Sequence, residues 1–531
     1  MLAMGEACTQ GPSKAVPLMP ADEAAYKKAL AIGEPAPQLA AILQFFTEYP
    51  NSRSVPMMIG RAYTAAEQAG TLSPAKATEM ALDIARRAAK ASPMARSEAA
   101  KALAQRLLAK NLAGEAESYA RAATRELNEE DHVARERSWY RQKVEYFTAR
   151  DPKYKELPFY VEEAREKYRA AAAGTWSTLA RVLMKQGRDA DARQALGKSL
   201  AITRTADAAS AYAELAAKEG DTHTVLDALG TAILTGKATK DMTERFRAAY
   251  ADAKMPMSAE AWLDRRFRSE SRNPLQPPAY NGPTATPRRA VLMEMVTGAG
   301  CEPCISVDLA ADAMLRRYSR QDLILIAYHM HAPVTDPLVS GAAEAREKFY
   351  GARGAPTVYL DGEEIEPVEG TGAVAKPVFD ELDAAVRKRI AAAAGASIDL
   401  KAEWSGSELK VSAAANGVAA QGLKLQLFLV EREVSYSGEN GFRLHPMVVR
   451  SSKDLDTLRG EWTVDAGGLP SELRKYMDGY FDGMKARFPG RAFGLREERY
   501  EVDPKKFAVV ATLQDVATKK VLQAAYIDAG K

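Results

Sequence analysis

Arg289-Ala290-Val291-Leu292-Met293-Glu294-Met295-Val296 leads through Thr297-Gly298-Ala299-Gly300 into Cys301-Glu302-Pro303-Cys304, and this stretch decides the fold around it. Its first half is an apolar run that predicts a buried strand, and from Ile305 to Tyr318 the apolar residues recur at helical spacing. Two cysteines separated by two residues at a helix start place the first sulfur over unpaired backbone N–H groups, which favour thiolate. The second stays within reach to close a disulfide. That pairing is a reversible redox switch. Zinc sites use the same spacing, but they usually show a second cysteine pair, and the only other cysteine is Cys8.

Further along, Asp322 to Tyr328 reads as a buried strand, Gly341 to Gly351 as a polar helix, and Gly354 to Leu360 as a strand. A turn at Asp361-Gly362-Glu363-Glu364, a strand from Ile365 to Val368 and a closing helix from about Ala373 to Ala393 complete a βαβ unit followed by a hairpin. This order and spacing resembles thioredoxin over residues 289–394. The resemblance implies that Pro356, in Gly354-Ala355-Pro356-Thr357, is cis and faces the cysteines. On this reading Cys301 is the attacking thiolate and Cys304 the resolving thiol, while Ala355, Pro356 and Thr357 form the backbone edge against which a protein substrate pairs. No cofactor is required.

Two departures from thioredoxin matter. Gly300 stands where that family has tryptophan, and Met295 stands where it has a buried proton-transferring aspartate. Proton transfer must therefore use water, Glu294 or some other group. Glu302, between the cysteines, opposes thiolate formation, which points to a mild reductant or isomerase rather than a strong oxidant. Two alternatives stay open. Cys301 and Cys304 could form a structural disulfide in a non-catalytic scaffold. They could also join His329 and His331, which share one face at a strand end, to hold zinc or Cu(I). Paired histidines at a strand end are more often hydrogen-bonded, and Ala332-Pro333-Val334-Thr335-Asp336-Pro337 after them is either a crossover loop or a substrate edge.

The chain of 531 residues exceeds one ordinary core, so a multidomain architecture is expected. Lys and Arg number 73 against 70 Asp and Glu, a balance that implies no nucleic-acid or membrane-surface partner, and no apolar run is long enough for a transmembrane helix. Residues 1–20, beginning Met1-Leu2-Ala3-Met4-Gly5-Glu6-Ala7-Cys8, read as a disordered tail or the remnant of an export signal. The corresponding compartments are the cytoplasm, or the periplasm and cell envelope. Residues 21–270 are alanine-rich and helical in period. Trp176, Leu179, Ala180, Leu183, Gly187, Ala192 and Leu196 resemble a tetratricopeptide repeat, with looser copies at Leu103 to Ala120 and at Tyr212 to Leu229. Such an array offers a concave face to a protein partner or serves as architecture.

Residues 271–288 read as a proline-rich spacer. Residues 395–531 read as a β-sandwich of immunoglobulin-like type: alternation at Ile398 to Trp404 and Leu409 to Ala415 around Ser405-Gly406-Ser407 gives a hairpin. Further strands follow at Leu425 to Val430, Met447 to Arg450, Phe507 to Leu513 and Val521 to Ile527, with a helical insertion at Leu469 to Arg487. The fold class is thus all-α repeat, α/β thioredoxin-like domain and all-β sandwich. Met295 to Cys301 with Cys304, Leu429-Val430-Glu431, Asn440-Gly441 and His445 to Arg450 resemble the bacterial outer-membrane lipoprotein-type family related to the twenty-eight-kilodalton antigen. That resemblance implies an envelope location. His445 and Arg450 could mark a site, or be satisfied sandwich residues. The functional expectation is an envelope thiol–disulfide oxidoreductase acting on protein disulfides.

Overall fold

The computed structural model describes residues 20–149, 158–270, 273–365 and 370–531, in two compact units that divide between Glu219 and Gly220. Residues 1–19 of the expected tail or export remnant, the first two residues of the spacer and the end of the strand expected at Ile365 to Val368 lie outside the described residues.

The first unit is helical, with ten helices among its described residues: α1 (Ala21–Leu30), α2 (Pro35–Glu48), α3 (Val55–Gln68), α4 (Pro74–Arg87), α5 (Pro93–Ala109), α6 (Ala113–Arg125), α7 (Glu129–Thr148), α8 (Val161–Lys185), α9 (Asp189–Ile202) and α10 (Ala206–Lys218). Their starts are written locally: Ser73, Asn128 and Thr205 each accept a hydrogen bond from the backbone N–H three residues on. Close packing of α5 on α6 and of α8 on α9 is possible because Ala104, Ala116 and Ala120 in one pair, and Ala180 and Ala192 in the other, are fully buried beside Leu107, Leu183 and Leu196. The helical-repeat character read from those residues is present.

The second unit begins with α11 (Thr222–Leu234), α12 (Lys240–Asp252) and α13 (Ala259–Glu270), so the repeat region divides between the two units. The last copy, Tyr212 to Leu229, spans the division. These three helices are tied to the sheet domain by Arg443, 2% exposed, which donates to Asp264 and Glu260 of α13 and to Ser437.

The sheet domain then runs β1 (Val291–Thr297), α14 (Ile305–Arg317), β2 (Leu323–His329), α15 (Gly341–Tyr350), β3 (Thr357–Leu360), β4 (Glu363–Ile365) and α16 (Ala375–Ile390), followed by β5 (Ser397–Ser405), β6 (Glu408–Asn416), β7 (Leu423–Ser435), β8 (Leu444–Asp454), β9 (Arg459–Asp465), α17 (Leu469–Arg487), β10 (Phe507–Asp515) and β11 (Val521–Asp528). β1 lies parallel to β2, from Val291 opposite Leu323 to Thr297 opposite His329, and antiparallel to β3 on its other side. Both C-terminal strand ends therefore lie beside the turn that carries the cysteines.

The expected boundary between 289–394 and 395–531 is not a boundary of the sheet. β8 pairs with β2 at Val448 and Ala327, giving one eight-stranded sheet in the order β11-β10-β7-β8-β2-β1-β3-β4. β2 is buried along its whole length, and β8 covers the edge that would otherwise lie open, with backbone pairing at the one position Ala327–Val448. The smaller sheet β5-β6-β9 packs over β7 and β10 through Leu409, Val411, Leu427, Leu429, Phe507 and Val509, which gives the sandwich-like layering expected there. The proline-rich segment is not a free spacer over its described part. Asn273 donates to Leu309 O and Asp312, Leu275 enters the core, and Arg317 of α14 donates to Pro278 O.

The sheet closes around a buried ion pair. Arg346 of α15 donates to both carboxylate oxygens of Glu294 in β1 (2.7 and 3.0 Å), to Gln426 of β7 and to Gln514 of β10. The hydroxyls of Tyr328 and Tyr350 also donate to Glu294. Glu294→Ala would strand a buried guanidinium, at about 3–5 kcal/mol. Urea unfolding of the full chain should show the second unit losing stability by about that much, with Glu294→Ala/Arg346→Met losing less than Glu294→Ala alone. An unchanged midpoint in Glu294→Ala would refute this role.

Candidate thiol site at the start of α14

The backbone leaves β1 at Thr297, turns through Gly298-Ala299-Gly300 and enters a single 3-10 turn at Glu302–Cys304 that continues into α14. Cys301 caps that turn and is disulfide-bonded to Cys304. Across from them the Ala355–Pro356 peptide is cis, and the Ala355 carbonyl oxygen lies 3.6 Å from Cys301 Sγ, within reach of an S–H in the reduced form. Thr357 pairs with Val296 in the sheet, and its hydroxyl donates to Gly354 O, so its side chain braces the proline loop. The structure thus brings Cys301, Cys304 and Ala355-Pro356-Thr357 together.

Both sulfurs are covered. Cys301 is 3% exposed and Cys304 0%, while Glu302 and Pro303 between them are exposed. One cover is the loop after β2, where Val334 sits so close to Gly300 that a Cβ there would lie 2.3 Å from Val334 Cγ2. The other is the β7–β8 connection, whose Asn440 N–H donates to Ala299 O at 3.0 Å. At the rim Lys237, between α11 and α12, pairs with Glu302 and so offsets the negative charge beside the thiols.

His329 and His331 diverge in their uses. His329 Nδ1 lies 2.8 Å from Asp336 Oδ2, and its ring meets His445 edge to face at 5.0 Å. His331 accepts from the Asp336 N–H and lies against Tyr480. Among the described residues no group of three or more His, Cys, Asp or Glu side chains is arranged to hold a metal ion. His445 donates from Nε2 to Tyr436 O; burial, aided by His329, pushes its pKa down to about 3 and keeps it neutral. Arg450 donates to Glu431 in a buried pair away from the cysteines.

The groups that sequence reasoning did not assign to the thiol site are Asp308, Asp336, read there only as part of a loop, and Asn440, read only as part of a resemblance. Asp308 follows Cys304 by one helical turn, is buried, and accepts from Thr297 Oγ1 (2.8 Å) and Asn440 Nδ2 (3.0 Å). Burial pushes its pKa up to about 7 against those hydrogen bonds and His329, with Asp336 adding to the rise. Asp336 accepts from Ala299 N–H (2.7 Å) and Leu338 N–H (2.8 Å); burial raises its pKa, but His329 and those amides outweigh it and hold it below the ordinary carboxylate range. Glu294, the carboxylate considered for proton transfer, is committed to Arg346 and two tyrosines. A signal for Asp308 was present: it is an acid on the same helix face as Val307, Ala311 and Met314, all buried.

No family model matches the chain, and no curated protein matches it. Among solved structures it is similar to HBP35 of Porphyromonas gingivalis, at 12% identity and a TM-score of 0.30, over 45% of this chain and 75% of that one.

Proposed function

We propose that the chain is a thiol–disulfide oxidoreductase whose Cys301–Cys304 pair sits in a thioredoxin-like arrangement and acts on protein disulfides in the cell envelope. The observation that carries this is the disulfide between Cys301 and Cys304 at the head of α14, facing the cis Ala355–Pro356 peptide with its carbonyl 3.6 Å from Cys301 Sγ. The strand order β2-β1-β3-β4, with only β1 and β2 parallel among these four, supports the thioredoxin-like reading. Cys301 attacks a substrate disulfide as thiolate, and Cys304 then attacks Cys301 Sγ to release the reduced substrate. An envelope location suits an enzyme that acts on protein disulfides, since such bonds form and persist in oxidising compartments. The helical first unit supplies a surface for a protein partner.

The burial of both sulfurs favours a second reading, a structural staple within a scaffold protein. The two differ in what a reductant does. As an oxidoreductase the disulfide opens in dithiothreitol without loss of fold, and the dithiol form reduces insulin at a rate that falls to background in Cys301→Ser. As a staple, reduction unfolds the second unit and no turnover follows.

The roles of the two cysteines separate in trapping. Cys304→Ser should accumulate a mixed disulfide with substrate protein, visible as a reductant-sensitive shift on a gel, because the resolving thiol is gone. Trapping by Cys301→Ser instead would reverse the assignment.

A further inference from the structure

Two buried carboxyl groups stand behind the cysteine turn, and their surroundings drive them apart. Asp336 faces His329 and two backbone amides, which hold it ionised. Asp308 has only neutral donors, the Thr297 hydroxyl and the Asn440 amide, and shares its burial with Asp336. Such a pair assigns one group to fixed charge and the other to proton exchange. Asp308 also has the right address. It is four residues after Cys304, the N-cap of α14, a spacing that brings side chains to one helix face with Cβ atoms about 5–6 Å apart, close enough for proton exchange through one water. Thr297, one of its two hydrogen-bond partners, adjoins Gly298, where a Cβ would lie 3.5 Å from Cys301 Cβ.

We propose that Asp308 accepts the proton of the Cys304 thiol when Cys304 resolves the mixed disulfide, with Asn440 of the β7–β8 connection as its positioning residue. The assignment rests on the oxidoreductase reading above. In the step, the Cys304 S–H proton passes to the Asp308 carboxylate and Cys304 Sγ bonds to Cys301 Sγ. The bond from Cys301 to the substrate sulfur breaks, and the leaving thiolate takes up a proton from Asp308 or water. The protein dithiol is oxidised to the disulfide, and the substrate disulfide is reduced to two thiols. In the opposite direction Asp308 returns the proton. The titratable groups around Asp308 are Asp336 from the loop after β2, His329 from β2, His445 from β8 beyond it, and the two cysteines. Glu439, next to Asn440, is taken up by Arg496 and Tyr436.

The test is a pH profile. Full-length Cys8→Ser protein, reduced and mixed with Ellman's reagent, releases one thionitrobenzoate when Cys301 is derivatised and a second when Cys304 closes the disulfide. The second phase is followed by stopped flow from pH 5 to 9.5. In the parent its rate should rise with an inflection near 7, where Asp308 becomes the carboxylate. In Asp308→Asn the rate at pH 7 should fall by about tenfold or more and converge on the parent at high pH, where the thiol ionises unaided. Asp308→Glu should recover part of the loss. A second-phase profile unchanged in Asp308→Asn overturns the proposal. Should Asp308→Asn not fold, Asn440→Ala serves: it removes a hydrogen bond to the charged carboxylate, so the inflection should move upward, and a fixed inflection overturns the proposal equally. Absence of any second phase in the parent defeats the oxidoreductase reading itself, and this inference with it.

Discussion

The Glu294–Arg346 pair constrains everything around the thiol site. A carboxylate and a guanidinium removed from water are tolerated only when each lone pair and each N–H finds a partner. Here the partners come from β1, β2, α15, β7 and β10, so the pair is satisfied only when strands from both halves of the sheet domain have met. Each half alone would bury an unfinished network. This gives the β2–β8 junction, which is backbone-paired at a single position, a side-chain reason to hold.

With the sheet joined, the β7–β8 connection is delivered to the cysteine turn. Asn440 bonds Ala299 on the strand side and Asp308 on the helix side, while Arg443 a few residues on anchors the same connection to α13. The thiol pair is therefore surrounded by four parts of the chain outside its own turn: the α11–α12 connection, the loop after β2, the Ala355–Pro356 loop and the β7–β8 connection. Three of them bring charged or polar groups to it, Lys237, Asp336 and Asn440.

What was legible in the sequence was local. The apolar run at Val291 to Val296, the helical spacing after Cys304 and the alternation at Ile398 to Ala415 report periodicity within one element, and the elements formed where those patterns lie. The Leu469–Arg487 helix was equally plain. β9 was missed because only Trp462 and Val464 mark its inward face among charged and small residues. The union of the α/β part with the C-terminal strands depends on pairing across more than a hundred residues, which no local period encodes. Asp336 sits in a proline-flanked loop and Asn440 in a glycine-flanked one, compositions that ordinary turns share. Their importance comes from what the fold sets beside them. Cys301, Cys304 and the Ala355-Pro356-Thr357 segment come together because one lies at the end of β1 and the other at the start of its partner β3, a juxtaposition that the order of elements already suggests.

Gly236, Gly438 and Ala299 form a stack in which backbone meets backbone. A Cβ at Gly236, whose φ is +72°, would lie 1.7 Å from Gly438 O, and one at Gly438 would lie 2.6 Å from Ala299 O. Contacts between side chains can be renegotiated by compensating substitutions, one larger and one smaller. A contact between main chains has no such currency. The α11–α12 turn, the β7–β8 connection and the cysteine turn can therefore drift only as a set. Over evolutionary time the second unit, helices included, should be inherited as one block, with recombination tolerated outside it and not between these three loops.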